Sequence, residues 1–292
     1  MHRYRLTRRG KYVLTILVML VGLVGTRGFR NTAIASDKFE YAIQYMNSYS
    51  DKSDLYELSL NEIAIEHSNN IVELNEESLE EKEEFLSIDI ENIRTYNESK
   101  IAFLTFDDGP SKNVTPEILD ILEHYNIKAT FFVLGNMCEK NGDVLQRVAD
   151  EGHAIGIHSY SHQLNELLAS QDSFINEINL TENAIKKSLG EEFNTRLFRF
   201  PGGSFESYKQ QYMEALNERG YVSVDWNALT GDSEHLKPTT EILLERLKAT
   251  TINKDNIVVL MHDSENKHVA AEVLPDVIEH LILQGYEFAV LK

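Results

Sequence analysis

From about residue 100 to the C-terminus, short apolar runs alternate with longer stretches in which apolar positions recur every three or four residues. The runs IAFLTF (101–106), ATFFVLG (129–135), HAIGIH (153–158), LFRF (197–200), YVSVDW (221–226), NIVVLMH (256–262) and YEFAVL (286–291) read as strands. Between them, TPEILDILEHYN (115–126) begins with Pro116 and NGDVLQRVADEG (141–152) ends on Gly152, the usual signs of a helix start and a helix stop. A long helix is expected from the 153–158 strand to about residue 189, with others at roughly 206–219, 239–252 and 270–284. Repeated βα units predict an α/β fold with a parallel sheet, closed into a barrel or left open. About seven such units in this length suit a compact, irregular (β/α) barrel.

The first hundred residues follow another pattern. Tyr12 to Gly25 (YVLTILVMLVGLVG) is a mostly apolar run flanked by Arg3, Arg5, Arg8, Arg9, Lys11, Arg27 and Arg30, with no acid before position 31. A basic opening before such a run is the layout of an export signal, whereas a spanning helix wants roughly 20 residues. Ala33-Ile34-Ala35 offers a cleavage site, although Arg27 and Arg30 precede it. The segment therefore reads as a retained single-pass membrane anchor or as a cleaved signal. Either reading places the rest of the chain outside the cytoplasm, at the extracellular face of the membrane or secreted. Residues 36–98 lack Gly and Pro and are heavily acidic, most of all in EESLEEKEEF (76–85). Leu55, Leu58, Ile63 and Ile65 keep helix-like spacing, so a partly helical, solvated spacer is expected there. The expected division is 1–35 anchor, 36–98 spacer and 99–292 α/β domain.

Composition narrows the partners. The 292-residue chain is 42% hydrophobic, enough for a sizeable core, and its formal net charge is −19. Such a charge argues against nucleic acid, whose phosphates need clustered Lys and Arg. Cys138 is the only cysteine, so an intrachain disulfide is excluded and the core or a metal must hold the exported domain. Cys138 itself reads as a small buried apolar residue. A monomer is expected.

The polar residues that break the apolar pattern cluster by position. Asp107, Asp108, His158, Arg199 and His262 each stand at or just after a predicted strand end. In a βα barrel those ends meet at one face, where active sites are built. In HSYSH (158–162) two histidines at i and i+4 would share one face of a helical turn and reach a single ion. Two histidines and a carboxylate are a common three-ligand set for catalytic zinc, leaving positions open for water and substrate. A cation would also relieve the repulsion of Asp107 against Asp108 by neutralising one of them. The other carboxylate is then free to take a proton from water, and His262 can protonate a leaving group from the opposite side. That arrangement fits hydrolysis of an amide or an ester.

TFDDGP (105–110), HSYSH, RFPGG (199–203), WNALTGDS (226–233) and LMH (260–262), in this order, resemble the five motifs of the polysaccharide deacetylases, the NodB-homology enzymes of carbohydrate esterase family 4. The resemblance covers about residues 99–292. It implies a distorted (β/α) barrel, with Asp107 as catalytic base, Asp108, His158 and His162 as metal ligands, and His262 as general acid. Arg199 would orient Asp107 and Asp232 would tether His262. Leu260 would line a pocket for the acetyl methyl, and the Gly202 backbone N–H would help hold the oxyanion. The implied metal is divalent, zinc by the ligand set, with cobalt or manganese also fitting. The implied partner is an acetylated glycan polymer, most often N-acetylglucosamine units of peptidoglycan or chitin-like chains, in some members acetylxylan.

The chain departs from the family pattern in two places. Gly202 stands where the third motif often has Tyr. In the fourth motif, Leu229 replaces an Asp and Ser233 replaces a Trp that would offer a sugar ring a platform. Trp226 either supplies that stacking or packs in the core. Three readings follow: an N-deacetylase, an O-acetyl esterase, or a silent glycan-binding domain that keeps the groove. His153 is expected to bond locally, and Asp263 either helps to position the site or ends its strand.

Overall fold

The computed structural model describes residues 87–88, 99–234 and 236–292. The expected anchor, and all of the spacer but its strand at 87–88, lie outside the described residues. No helix among the described residues is long and apolar enough to cross a membrane. In chain order the elements are β1 (Ser87–Ile88), β2 (Lys100–Asp107), α1 (Val114–His124), β3 (Thr130–Val133), α2 (Gly135–Lys140), α3 (Gly142–Asp150), β4 (Ala154–Ile157), α4 (Leu164–Leu167) and α5 (Gln171–Leu189). There follow β5 (Leu197–Phe198), α6 (Gln210–Glu218), β6 (Val222–Ser223), β7 (Ala228–Leu229), α7 (Thr240–Thr251), β8 (Asn256–His262), α8 (His268–Leu283), β9 (Tyr286–Phe288) and β10 (Val290–Leu291).

β2 is central and buried on both faces from Ile101 to Asp107, which is why IAFLTF shows no polar alternation. Successive side chains of a strand point to opposite faces. Ala102, Leu104 and Phe106 join the large core beneath the helices, while Ile101 and Phe103 join an inner cluster with Phe132, Leu197, Val224 and Val258. β8 repeats this division, Ile257, Val259 and Met261 outward and Val258 inward. By the same alternation Thr105 and Asp107 on β2, and Leu260 and His262 on β8, continue the inner rows.

The sheet runs β6-β5-β4-β3-β2-β8-β7, with β9 also pairing to β2, and every pair is parallel. Its edge strands β6 and β7 are separated only by residues 224–227. Five extended Cα steps reach at most about 18 Å, whereas seven flat strands would span about 29 Å. The sheet must therefore curl, and residues 224–227, with Trp226 among them, bridge the gap. The result is the distorted (β/α) barrel expected from the sequence, curled rather than evenly closed.

Local differences have identifiable causes. YVSVDW yields only Val222–Ser223 as strand, because its second half is that bridge. YEFAVL divides, β9 pairing with β2 and β10 with β1, whose Ser87 and Ile88 fall in the segment read as spacer. The long helix expected before residue 189 is split into α4 and α5, and Ser170 caps α5 by accepting from Ser173 N at 3.0 Å. Cys138 is buried in α2, a helix the apolar pattern did not reveal.

Candidate active site

Asp107 and His262 are register partners at the ends of β2 and β8, so base and acid candidates meet across one strand pair. Asp107 is buried, and its Oδ1 accepts from Arg199 Nη1 at 2.8 Å. That guanidinium is fully buried. It also donates from Nη1 to Thr105 Oγ1 at 2.7 Å and from Nε to the Val224 carbonyl at 2.9 Å, and stacks on the Phe132 ring at 4.1 Å. Burial pushes the Asp107 carboxyl above the ordinary range, against the opposing charges of Arg199 and His262. A raised carboxyl pKa makes a stronger base, while the bond from Arg199 fixes which oxygen remains free.

Across the site His262 Nδ1 lies 3.0 Å from Asp232 Oδ1, and its backbone N–H donates to Asp232 Oδ2 at 2.9 Å. Burial disfavours the imidazolium, but the hydrogen bond and charge of Asp232, with the charges of Asp107 and Asp108, raise its pKa to about 9. His262 is therefore protonated at neutral pH, as a proton donor must be. Ser233 brings its hydroxyl to 3.0 Å from His262 Nδ1.

Asp108 Oδ1 is buried and has no hydrogen-bond partner among the described residues. It faces His158 Nε2 at 3.6 Å and His162 Nε2 at 3.4 Å, and the three donor atoms lie within 4.8 Å of one another. His158 Nδ1 donates to the Arg199 carbonyl at 2.8 Å, which leaves Nε2 with its lone pair towards the aspartates. Burial lowers the His158 pKa to about 3, so the ring is neutral. An orphaned carboxylate oxygen beside two imidazole nitrogens, one of them held neutral, fits a divalent cation.

The two histidines converge in a way the sequence did not suggest. Residues 158–162 are not a helical turn; Ser159 and His162 have φ of 98° and 57°, and α4 begins only at Leu164. A bend does the work of the i, i+4 spacing and brings the rings to 5.3 Å between centroids. Its support is Glu177 on α5, a residue with no sequence signal. The buried Glu177 carboxylate accepts from Tyr160 N at 2.9 Å, Ser161 N at 3.0 Å and Ser161 Oγ at 3.1 Å.

The remaining candidates lie on the same face or beneath it. Leu260 is two residues before His262 on the same side of β8 and is 9% exposed. Gly202 follows β5 with φ 73°, in a loop held by the buried Lys209, whose Nζ donates to the Pro201 and Gly203 carbonyls at 3.1 and 2.5 Å. Trp226 is half-buried against the inner cluster, 5.7 Å from the Arg199 guanidinium. Asp263 does more than end its strand. Its backbone N–H donates to the Asp107 carbonyl at 3.0 Å, its Oδ2 accepts from Thr115 Oγ1 at 2.6 Å, and it packs directly on Gly109. Burial, with the charges of Asp108 and Asp107, lifts its pKa to about 7. His153 accepts from Ala129 N at 3.0 Å, the local role expected of it.

A curled parallel sheet with a candidate cation site at its strand ends, flanked by an Asp–Arg and an Asp–His pair, defines the class: a barrel-type hydrolase. Comparison with known proteins narrows it. A family profile described as polysaccharide deacetylase matches residues 94–223. A peptidoglycan-N-acetylglucosamine deacetylase of Bacillus cereus is 32% identical over 198 residues, 67% of this chain and 68% of that protein. A bifunctional xylanase/deacetylase of Pseudobutyrivibrio xylanivorans is 34% identical over 68% of this chain, a match spanning only 31% of the larger protein. Among solved structures, a Streptococcus mutans CE4 esterase superposes with TM-score 0.66 at 37% identity, covering 71% of this chain and 92% of that one. The chain belongs to the polysaccharide deacetylase family, carbohydrate esterase family 4, whose members generally depend on a divalent metal.

Proposed function

We propose that this protein removes N-acetyl groups from N-acetylglucosamine units of a cell-wall glycan, working outside the membrane with its N-terminal segment as anchor or export signal. The observation that carries the reading is the pairing of Asp107 with Arg199 and of Asp232 with His262, on either side of an orphaned Asp108 oxygen and two imidazoles. Relatives named as peptidoglycan deacetylases support the choice of polymer.

A divalent cation held by Asp108, His158 and His162, zinc by the nature of that donor set, would supply Lewis-acid polarisation of the acetyl carbonyl and of a water. Asp107, anchored through Oδ1 to Arg199, takes the proton of the attacking water on its other oxygen. His262, charged at neutral pH, gives its proton to the departing nitrogen, and Asp232 holds the ring for that transfer. Leu260 packs against the acetyl methyl. The Gly202 amide, in the loop clasped by Lys209, donates to the carbonyl oxygen as negative charge develops there.

Acetate release from hexameric N-acetylglucosamine by metal-replete protein, lost with a chelator and restored by zinc, is the expected result. No release from any acetylated glycan would sink the proposal. The xylanase/deacetylase relative, together with this chain's own Gly202 and Ser233 at positions where the family often carries aromatic residues, supports a second reading as an O-acetyl esterase of xylan. Faster release from acetylated xylan than from the hexamer would favour it.

A further inference from the structure

The loop that follows Arg199 ends in an aromatic ring displayed to solvent. Phe205 is 64% exposed, and Tyr208, three residues on, is 54% exposed. Single exposed apolar residues are ordinary on a protein surface. Phe205 differs because its ring is held. It meets Trp226 edge to face, with centroids 5.3 Å apart and planes at 86°. It lies over Gly203, whose φ is 78° and where a Cβ would collide with the Phe205 ring and come within 3.1 Å of Trp226 Cη2. A side chain at 203 would push the ring away, so the glycine is what lets the loop hold Phe205 against Trp226.

The backbone beneath is pinned from two sides. Ser204 donates from its backbone N–H to Asp225 Oδ1 at 2.9 Å and from its hydroxyl to Asp225 Oδ2 at 2.5 Å. Lys209, itself paired with Glu206 at 2.9 Å, clasps the carbonyls of Pro201 and Gly203. The ring also stands on the loop that leaves the reacting groups: Arg199, six residues earlier, holds Asp107, and its carbonyl accepts from His158 Nδ1 at 2.8 Å. A held apolar ring on a loop that leaves a polar reaction centre suits a pyranose ring, whose C–H face is apolar and whose hydroxyls stay at the rim.

We propose that Phe205, backed by Trp226, is the stacking platform for an N-acetylglucosamine unit next to the one being deacetylated. It takes the place of the aromatic side chains absent at Gly202 and Ser233. This rests on the deacetylase reading above.

Binding of hexameric N-acetylglucosamine is measured by calorimetry on the full chain, and Trp226, the only tryptophan, reports by its emission whether the ligand reaches this loop. Phe205→Ala is expected to weaken Kd about tenfold, the loss of one aromatic contact worth about 1.4 kcal/mol, and Phe205→Tyr to restore it. Ile252→Ala, at an equally exposed apolar residue before β8, is expected to bind as the parent does. Wild-type binding that Phe205→Ala leaves within twofold, or an equal loss in Ile252→Ala, overturns the platform while the deacetylase reading stands. Wild-type protein that neither binds the hexamer nor releases acetate from it overturns both. Phe205-dependent binding of acetylated xylohexaose in place of the hexamer overturns the assignment to N-acetylglucosamine.

Discussion

The adjacent carboxylates of TFDDGP face different surroundings a single residue apart. Asp107 points into the inner row of β2, against a buried guanidinium, whereas Asp108 turns out of the strand with φ 77° and presents an unpartnered oxygen to two histidines. Their substitutions should separate. Asp107→Asn is expected to keep its metal and lose turnover by roughly 10²–10⁴-fold, and Asp108→Asn to lose metal. Metal content by elemental analysis beside acetate release reads both, and equal metal loss in the two variants would refute the division of labour. His262, the proposed general acid, offers a pH test. With a folded pKa raised to about 9, His262 carries its proton, and the associated stability, fully below its ordinary 6.5, and loses both as pH rises through about 9. Asp232→Asn removes the group that holds the proton there, so the alkaline limb of kcat/KM should move down by roughly 1–2 pH units. A limb that stays in place would show that another group sets it.

At the scale of elements, the strands place the proposed catalytic residues and ligands, and a helix holds the loop that carries two of them. Glu177 reaches from α5 to bind two consecutive amides of the His158–His162 bend, which has no regular structure of its own to satisfy them. Glu177→Gln leaves every metal ligand intact yet should weaken metal affinity by about 10–100-fold, measured by competition with a chelator. Unchanged affinity would mean that the bend holds itself. The same scale shows what apolar periodicity could reveal. β2 and β8 were legible because they are long, buried on both faces and unbroken. The bend at 158–162 was not, because its spacing of histidines is equally compatible with a helical turn, and the choice was made by Ser159, His162 and a glutamate fifteen residues beyond them.

For the whole molecule, the proposed cation site depends on how the sheet curls, because its three candidate ligands follow the ends of β2 and β4. A cation that binds the folded chain and not the unfolded one adds about 2.7 kcal/mol at a hundredfold excess over its Kd, or about 5–10 °C in Tm for a domain of this size. Scanning calorimetry with chelator and then with added zinc should show that shift in the parent and not in Asp108→Asn. A shift that persists in Asp108→Asn would place the bound cation elsewhere.

The sequence by itself determined the order of βα units, the strand-end positions of Asp107, Asp108, His158, Arg199 and His262, and the chemistry those residue types allow. All of these are encoded locally, in periodicity and in short motifs. Only the tertiary structure decided the rest. Arg199 meets Asp107 across 92 positions of chain, and His262 meets Asp232 across 30. Glu177 and Lys209 look in sequence like any other charged residues, and become parts of the site only because folding buries them against backbone groups that need a partner. Phe205 carries no signal of its own in the sequence. The bridge at 224–227 that curls the sheet sets Trp226 behind it, and so leaves its ring facing outward.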